Sequence, residues 1–182
     1  MQWSAALSPL LDAARIGLGL MLLLPAAAKL RKWSEFRGVV AAYRIGPSWA
    51  VLPLAILIPL AEAAAGLALV LGIGTTSAAL AAFCLLLVFA LAMAVNLLRG
   101  RAHIDCGCFQ SSSRQSLDWR LVTRNGVLCV VAVILMLTPM PVASDWLTAV
   151  PAAAVFYLLQ LALVELWALD ASRRAAFGRI SP

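Results

Sequence analysis

Cys106 and Cys108 stand one glycine apart in the long polar stretch of an otherwise apolar chain. Thiols so spaced are seldom needed for packing. They can close into a small disulfide ring or offer two soft donors to a metal. A disulfide wants Cα atoms about 4.4–6.8 Å apart, which positions i and i+2 reach where the chain bends, and Gly107 allows the bend. Strain makes such a bridge easier to reduce, so it suits exchange better than stapling. Exchange needs thiolate, which nearby cations favour. Arg99, Arg101 and Arg114 lie in the same stretch, with Asp105 opposing them. His103, the single histidine of the chain, precedes Cys106 by three residues and is the candidate proton acceptor. A second chemistry stays open: His103, Cys106 and Cys108 would form a three-donor soft site for copper(I) or zinc, to which the stretch adds Asp105. A third reading leaves the pair inert.

The elements that must position these residues are membrane helices. Of 182 residues, 64% are hydrophobic and 12% charged, and the mean hydropathy is +0.97. Soluble domains run about 45–50% apolar and 25% charged, so this chain lacks the polar surface for a soluble fold. The net charge of +6 does not indicate nucleic acid, because the basic residues flank apolar segments and read as topology determinants and contacts to anionic lipid of the bilayer. Trp3, Trp33, Trp49, Trp119, Trp146 and Trp167 fall near expected span ends, as an interfacial belt does.

At roughly 20 apolar residues per crossing, the chain predicts an all-α, polytopic bundle of about five transmembrane helices in a single integral membrane domain over 1–182. The spans are expected near 10–28, 50–72, 75–98, 120–138 and 148–169, leaving 99–119 as the Cys-Gly-Cys loop. The second and third spans form one apolar run that must fold as a hairpin, with Gly72-Ile73-Gly74-Thr75 as the turn. Pro139 and Pro141 end the fourth span, and Pro151 suits the first turn of the fifth. Leu18–Leu24 followed by Pro25-Ala26-Ala27-Ala28 imitates a signal peptide. Asp12 upstream and Lys29, Arg31 and Lys32 downstream argue instead for an uncleaved first helix.

In a five-span arrangement Lys29, Arg31, Lys32, Arg37, Arg44, Arg99, Arg101, Arg114, Arg120, Arg173, Arg174 and Arg179 fall on one face. The positive-inside rule then places the N-terminus outside, the C-terminus in the cytoplasm and the thiol loop in the cytoplasm. Polar groups within spans should face the protein. Asp12 and Arg15, three apart, can pair. Glu62, near the middle of the second span, has no local partner; the structural expectation is a cation such as Arg15 from the neighbouring helix, and the alternative is a proton-relay or ligand role. Gly17 and Gly19 in the first span, with Ala61, Ala65 and Gly66 in the second, allow close backbone approach. Cys84 and Cys129 lie mid-span and read first as small hydrophobes. Asn125, one turn before Cys129, turns that face inward, so a second thiol pair is the alternative.

With these residues in view, the chain resembles the MauE family of methylamine-utilisation membrane proteins and, more distantly, DoxX-type helix bundles, a likeness that implies a four-helix core plus one further helix. The likeness rests on Asp105-Cys106-Gly107-Cys108-Phe109, on Asn96-Leu97-Leu98-Arg99-Gly100, on Arg15-Ile16-Gly17-Leu18-Gly19 through Lys29-Leu30, and on Glu62 before Gly66. It covers nearly the whole chain, and the Cys-Gly-Cys loop is its specific part. Relatives often carry Gly after the Phe, where this chain has Gln110. The resemblance implies an inner-membrane protein for processing, transport or maturation of the methylamine dehydrogenase beta (small) subunit, with Cys106 and Cys108 as the redox pair. It implies a thioredoxin-like periplasmic partner of the MauD type, and a redox partner in place of a turnover enzyme. A periplasmic client sits across the membrane from a cytoplasmic loop, so a relay through Cys84 and Cys129 is one expectation. No cofactor motif is evident, and a quinone is left open without residues to hold it. A soft-metal carrier or transporter, and a membrane assembly scaffold, are the alternative functions.

Overall fold

A computed structural model describes residues 2–102, 104 and 117–138, together with 150–151, 153–155, 157–160, 162 and 166. Its helices are α1 (Gln2–Arg31), α2 (Trp33–Tyr43), α3 (Val51–Leu71), α4 (Thr75–Leu98) and α5 (Trp119–Leu137), with a 3₁₀ turn at Ser48–Ala50 before α3. Four stretches are long and apolar enough to cross a bilayer: Ser8–Arg31, Ser48–Leu71, Thr75–Leu98 and Trp119–Leu137. The described residues between 150 and 166 are also helical, and Ala153 packs on Ile16 of α1. The protein is therefore an all-α, multi-pass membrane bundle. At 11 residues, α2 is about 16 Å long and too short to cross. No element was expected there, because its Glu35 and Arg37 interrupt the apolar pattern that marks a span.

Each long helix buries one stripe. In α3 it is Ala55, Pro59, Glu62, Ala65, Gly66 and Leu69; in α5 it runs from Leu121 through Asn125, Leu128 and Ala132 to Leu135. These steps of three and four residues follow the helical repeat. The remaining faces carry exposed Leu52, Leu57, Leu60, Leu67, Val88, Leu91, Val127, Val130 and Ile134, as lipid contact requires. The main core joins Leu18 and Leu22 of α1, Leu69 of α3, Ala79, Ala82 and Leu86 of α4, and Leu128 and Leu135 of α5.

The α3–α4 hairpin ends α3 with two complementary bonds, Ile73 N–H to Ala68 O at 2.9 Å and Gly72 N–H to Leu69 O at 3.3 Å. This is a Schellman cap with Gly72 in the left-handed region, at φ 73°. Gly19 of α1 and Gly66 of α3 meet backbone to backbone. A Cβ on Gly66 would lie 2.7 Å from Gly19 O, and one on Gly19 would lie 2.8 Å from Gly66 O. In lipid, where apolar burial supplies little drive, such close van der Waals approach holds helices together.

Candidate functional site

The thiol loop begins where α4 stops. Gly100, at φ 70°, closes a second Schellman cap: Arg101 N–H bonds Asn96 O and Gly100 N–H bonds Leu97 O, each at 2.9 Å. Arg101 is then held on three acceptors. Its Nη1 donates to Asn96 Oδ1 at 3.2 Å and Tyr43 O at 3.5 Å, and its Nη2 donates to Ala42 O at 3.0 Å. Ala42 and Tyr43 supply the last carbonyls of α2, where a cation complements the helix dipole. Asn96, fully buried, is itself anchored by Nδ2 donating to Ala92 O at 3.0 Å. The far end of the loop returns to the same place. Leu117 N–H bonds Ala102 O at 2.9 Å and Ile104 O at 3.2 Å. Ile104 and Leu117 pack with Met93 and Leu121, beside Tyr43 and Phe89. The intervening segment, including Cys106 and Cys108, and also His103, lies outside the described residues, so the loop is known here by its clamped base.

A second set of polar groups sits inside the bundle. Lys29 Nζ donates to Glu62 Oε1 at 2.5 Å, with both side chains almost wholly buried. The Lys29 ammonium also lies 4.8 Å from the centroid of Phe89 and 5.2 Å from that of Phe36, within cation–π range. Glu62 is eleven residues into α3, about 16 Å along the axis, which is near the middle of a hydrocarbon layer about 30 Å thick. The expectation that Arg15 reaches Glu62 is corrected. Arg15 pairs with Asp12 in its own helix, Nη2 to Oδ1 at 3.1 Å. It also donates from Nη1 to the carbonyls of Leu69 and Val70, and so satisfies the C-terminus of α3 at the opposite end of the bundle from the loop.

Lys29 borders two spaces. One is a small pocket of about 30 Å³, walled mainly by apolar side chains such as Leu22 and Leu128, into which Glu62, Arg124 and Asn125 bring polar groups. Glu62 Oε2 and both amide atoms of Asn125 have no hydrogen-bond partner among the described residues. The other is a larger cavity of about 280 Å³ under α2, with walls including Phe36, Tyr43, Ile58, Phe89 and Met93 and with Lys29 at its inner end.

Sequence reasoning missed Lys29 and Arg124. Lys29 looked like a charge flanking a span, yet a side chain near a helix C-terminus leans back along the helix, here into the bundle. Arg124 lies within the fourth span and is buried; its position one turn beyond Arg120 was the available signal. Asn125 does face inward, at 1% exposure. Cys84 and Cys129 are both free. Cys84 is on the exposed face of α4, whereas the buried Cys129 sets its Sγ 4.0 Å from Phe83 O. The structure does not join them. No cluster of three metal-ligating side chains occurs among the described residues, and His103, Cys106 and Cys108 lie beyond them.

Fold and site together define a multi-pass helix bundle with an ion pair at mid-membrane depth and a loop clamped at one end. The chain belongs to the MauE family: the family model for methylamine utilisation protein MauE matches residues 7–138. It is 40% identical over 168 residues to methylamine utilization protein MauE of Paracoccus denitrificans, covering 90% of each chain. The namesake protein of Paracoccus versutus is 38% identical over 150 residues, covering 80% of this chain and 81% of the relative. That of Methylorubrum extorquens is 41% identical over 115 residues, 62% of each. No solved structure matches the chain.

Proposed function

We propose that this protein serves methylamine utilisation as a membrane-embedded thiol–disulfide partner, acting through Cys106 and Cys108 in the maturation of the methylamine dehydrogenase beta subunit. A thioredoxin-like periplasmic protein of the MauD type is the proposed partner. The proposed setting is the bacterial inner membrane, with the N-terminus outside and the C-terminus in the cytoplasm, as the charge distribution directs. Membership in the MauE family supports the pathway. The clamped loop base carries the mechanism. Arg101, Asn96, Ala42, Tyr43 and Leu117 hold both ends of the Cys-Gly-Cys segment against α2 and α4. A dithiol that must meet a partner's sulfur in line gains from such a fixed base, because restricting the approach lowers the entropy lost on reaction.

In the exchange, a dithiol carrier on the loop's own side of the membrane attacks the Cys106–Cys108 disulfide. One S–S bond breaks in this protein, one forms in the carrier, and two protons pass to the Cys106 and Cys108 sulfurs. The test is separate Cys106→Ser and Cys108→Ser variants in cells growing on methylamine, with the redox state of beta-subunit cysteines as readout. Both variants are expected to leave those cysteines reduced; full oxidation in both would overturn the reading. Labelling the loop thiols with a membrane-impermeant reagent, before and after reduction, reports which side they face.

A further inference from the structure

The cavity under α2 has the features of a site for a ligand that arrives through the membrane. Its volume of about 280 Å³ is close to the lower bound of small-molecule sites, roughly 300 Å³. Its rim includes Leu54 and Val88, exposed on the spanning helices α3 and α4, and Ile45 in the exposed segment just before α3. The walls are apolar, and the charged group among the lining residues is Lys29, at the inner end. An anionic head group would seek an unbalanced cation, but Glu62 at 2.5 Å already neutralises this ammonium. What Lys29 still offers is N–H donors beyond the one given to Glu62. The fitting partner is thus a neutral acceptor on an apolar body.

Two more observations narrow the class. Aromatic rings crowd the inner end: Phe36 and Phe89 flank Lys29, and Tyr43 joins the wall. Flat, conjugated ligands gain from such surfaces. Tyr43, Phe89 and Met93 also belong to the cluster that seats the loop base through Ile104 and Leu117. The cavity wall and the footing of the dithiol loop are one packed unit.

We propose that this cavity binds a membrane-borne isoprenoid quinone, with a ring carbonyl accepting a hydrogen bond from Lys29 Nζ and the prenyl chain leaving past Ile45, Leu54 and Val88. Resting on the dithiol reading above, the quinone is the oxidant that regenerates the loop disulfide. The Cys106 and Cys108 thiols give up two electrons and two protons and form one S–S bond. The quinone takes both electrons and both protons and becomes hydroquinone. Glu62 Oε1 positions the ammonium, and Glu62 and Asn125 line the smaller pocket that Lys29 also borders.

The test titrates decylubiquinone into the full chain in phosphatidylcholine nanodiscs, following heat and, separately, free thiols. Saturable binding at one equivalent is expected. Ala92→Phe, which fills the cavity from α4, should weaken binding by about tenfold or more, as loss of one buried contact set does. Lys29→Met alone strands Glu62 and endangers folding, so the Lys29→Met/Glu62→Leu double variant is the informative one; it too should weaken binding. Val127→Phe, on the lipid face of α5, should bind like the native chain. Unsaturable partition, or native affinity in Ala92→Phe, overturns the site. Equal displacement by oleate makes the cavity a general acyl-chain crevice and overturns the quinone assignment. The Cys106→Ser/Cys108→Ser variant should keep native binding. If the native chain binds the probe yet its thiols stay reduced, the cavity assignment stands and the dithiol reading falls; thiol oxidation without saturable binding gives the reverse.

Discussion

Helix α1 meets α3 in two places, and the two are built on opposite principles. Towards the α3–α4 hairpin, Gly19 and Gly66 bring the backbones together, and Arg15 binds both its neighbour Asp12 and the terminal carbonyls of α3. Towards the loop, the helices are bridged across a gap by Lys29 and Glu62, with a cavity on one side and polar atoms without described partners on the other. The first contact closes its hydrogen bonds locally and leaves no room. The second holds charge in the apolar middle of the membrane, where it costs several kcal/mol unless paired. A buried pair is weak evidence for stability, since a well-packed apolar replacement is often as good. The site proposed for the cavity draws on the spare N–H donors of this pair's lysine.

The sharpest way to break this contrast is a pair of double-mutant cycles. Lys29→Leu or Glu62→Leu alone should destabilise the protein by about 3–5 kcal/mol, because each leaves a lone buried charge. The Lys29→Leu/Glu62→Leu double variant should return to within about 1 kcal/mol of the native chain. At the other contact, Asp12→Leu/Arg15→Leu should recover less, since Arg15 also donates to the buried Leu69 O and the part-buried Val70 O, and a buried acceptor that loses its donor costs about 1–3 kcal/mol. Denaturant unfolding in micelles checks both cycles. Equal recovery at the two sites would erase the distinction.

A smaller effect tests the closed contact by volume. Gly66→Val places a Cβ 2.7 Å from Gly19 O and 2.9 Å from Leu23 Cγ, and backbone cannot yield as a side-chain tip does. The expected loss is about 2–3 kcal/mol, as for overpacked cores, read as a lower thermal midpoint. The smallest effect concerns the loop base. Gly100→Ala forces a Cβ into the left-handed region, at about 1 kcal/mol, with nothing within 4 Å of the added atom. Bundle stability should change little, while thiol–disulfide exchange at the loop slows because the chain leaves α4 on a different path. Unchanged exchange kinetics would show that the base does not direct the loop.

Much of this was legible in the residues themselves. The hairpin at Gly72, the inward turn of Asn125 and the Asp12–Arg15 pairing follow from local composition and spacing. The partner of Glu62 did not. Arg15 and Lys29 both stand on α1, and deciding between them needs the register of α1 against α3, which the Gly19–Gly66 contact sets. The same limit hid α2, whose 11 residues carry no span signal, and the role of Arg101, which, braced by Asn96, reaches carbonyls more than fifty residues away in the chain.

By itself, the sequence determined that this protein is an all-α membrane bundle with a Cys-Gly-Cys pair in a polar loop, because hydropathy and helical period are local properties of a chain in lipid. Tertiary structure alone decided that Lys29 turns inward to Glu62, that α2 roofs a cavity, and that both ends of the thiol loop rest on the cavity wall. Those outcomes depend on which faces meet in space, and a lysine at a helix end reads the same whether it reaches for water or for a buried carboxylate.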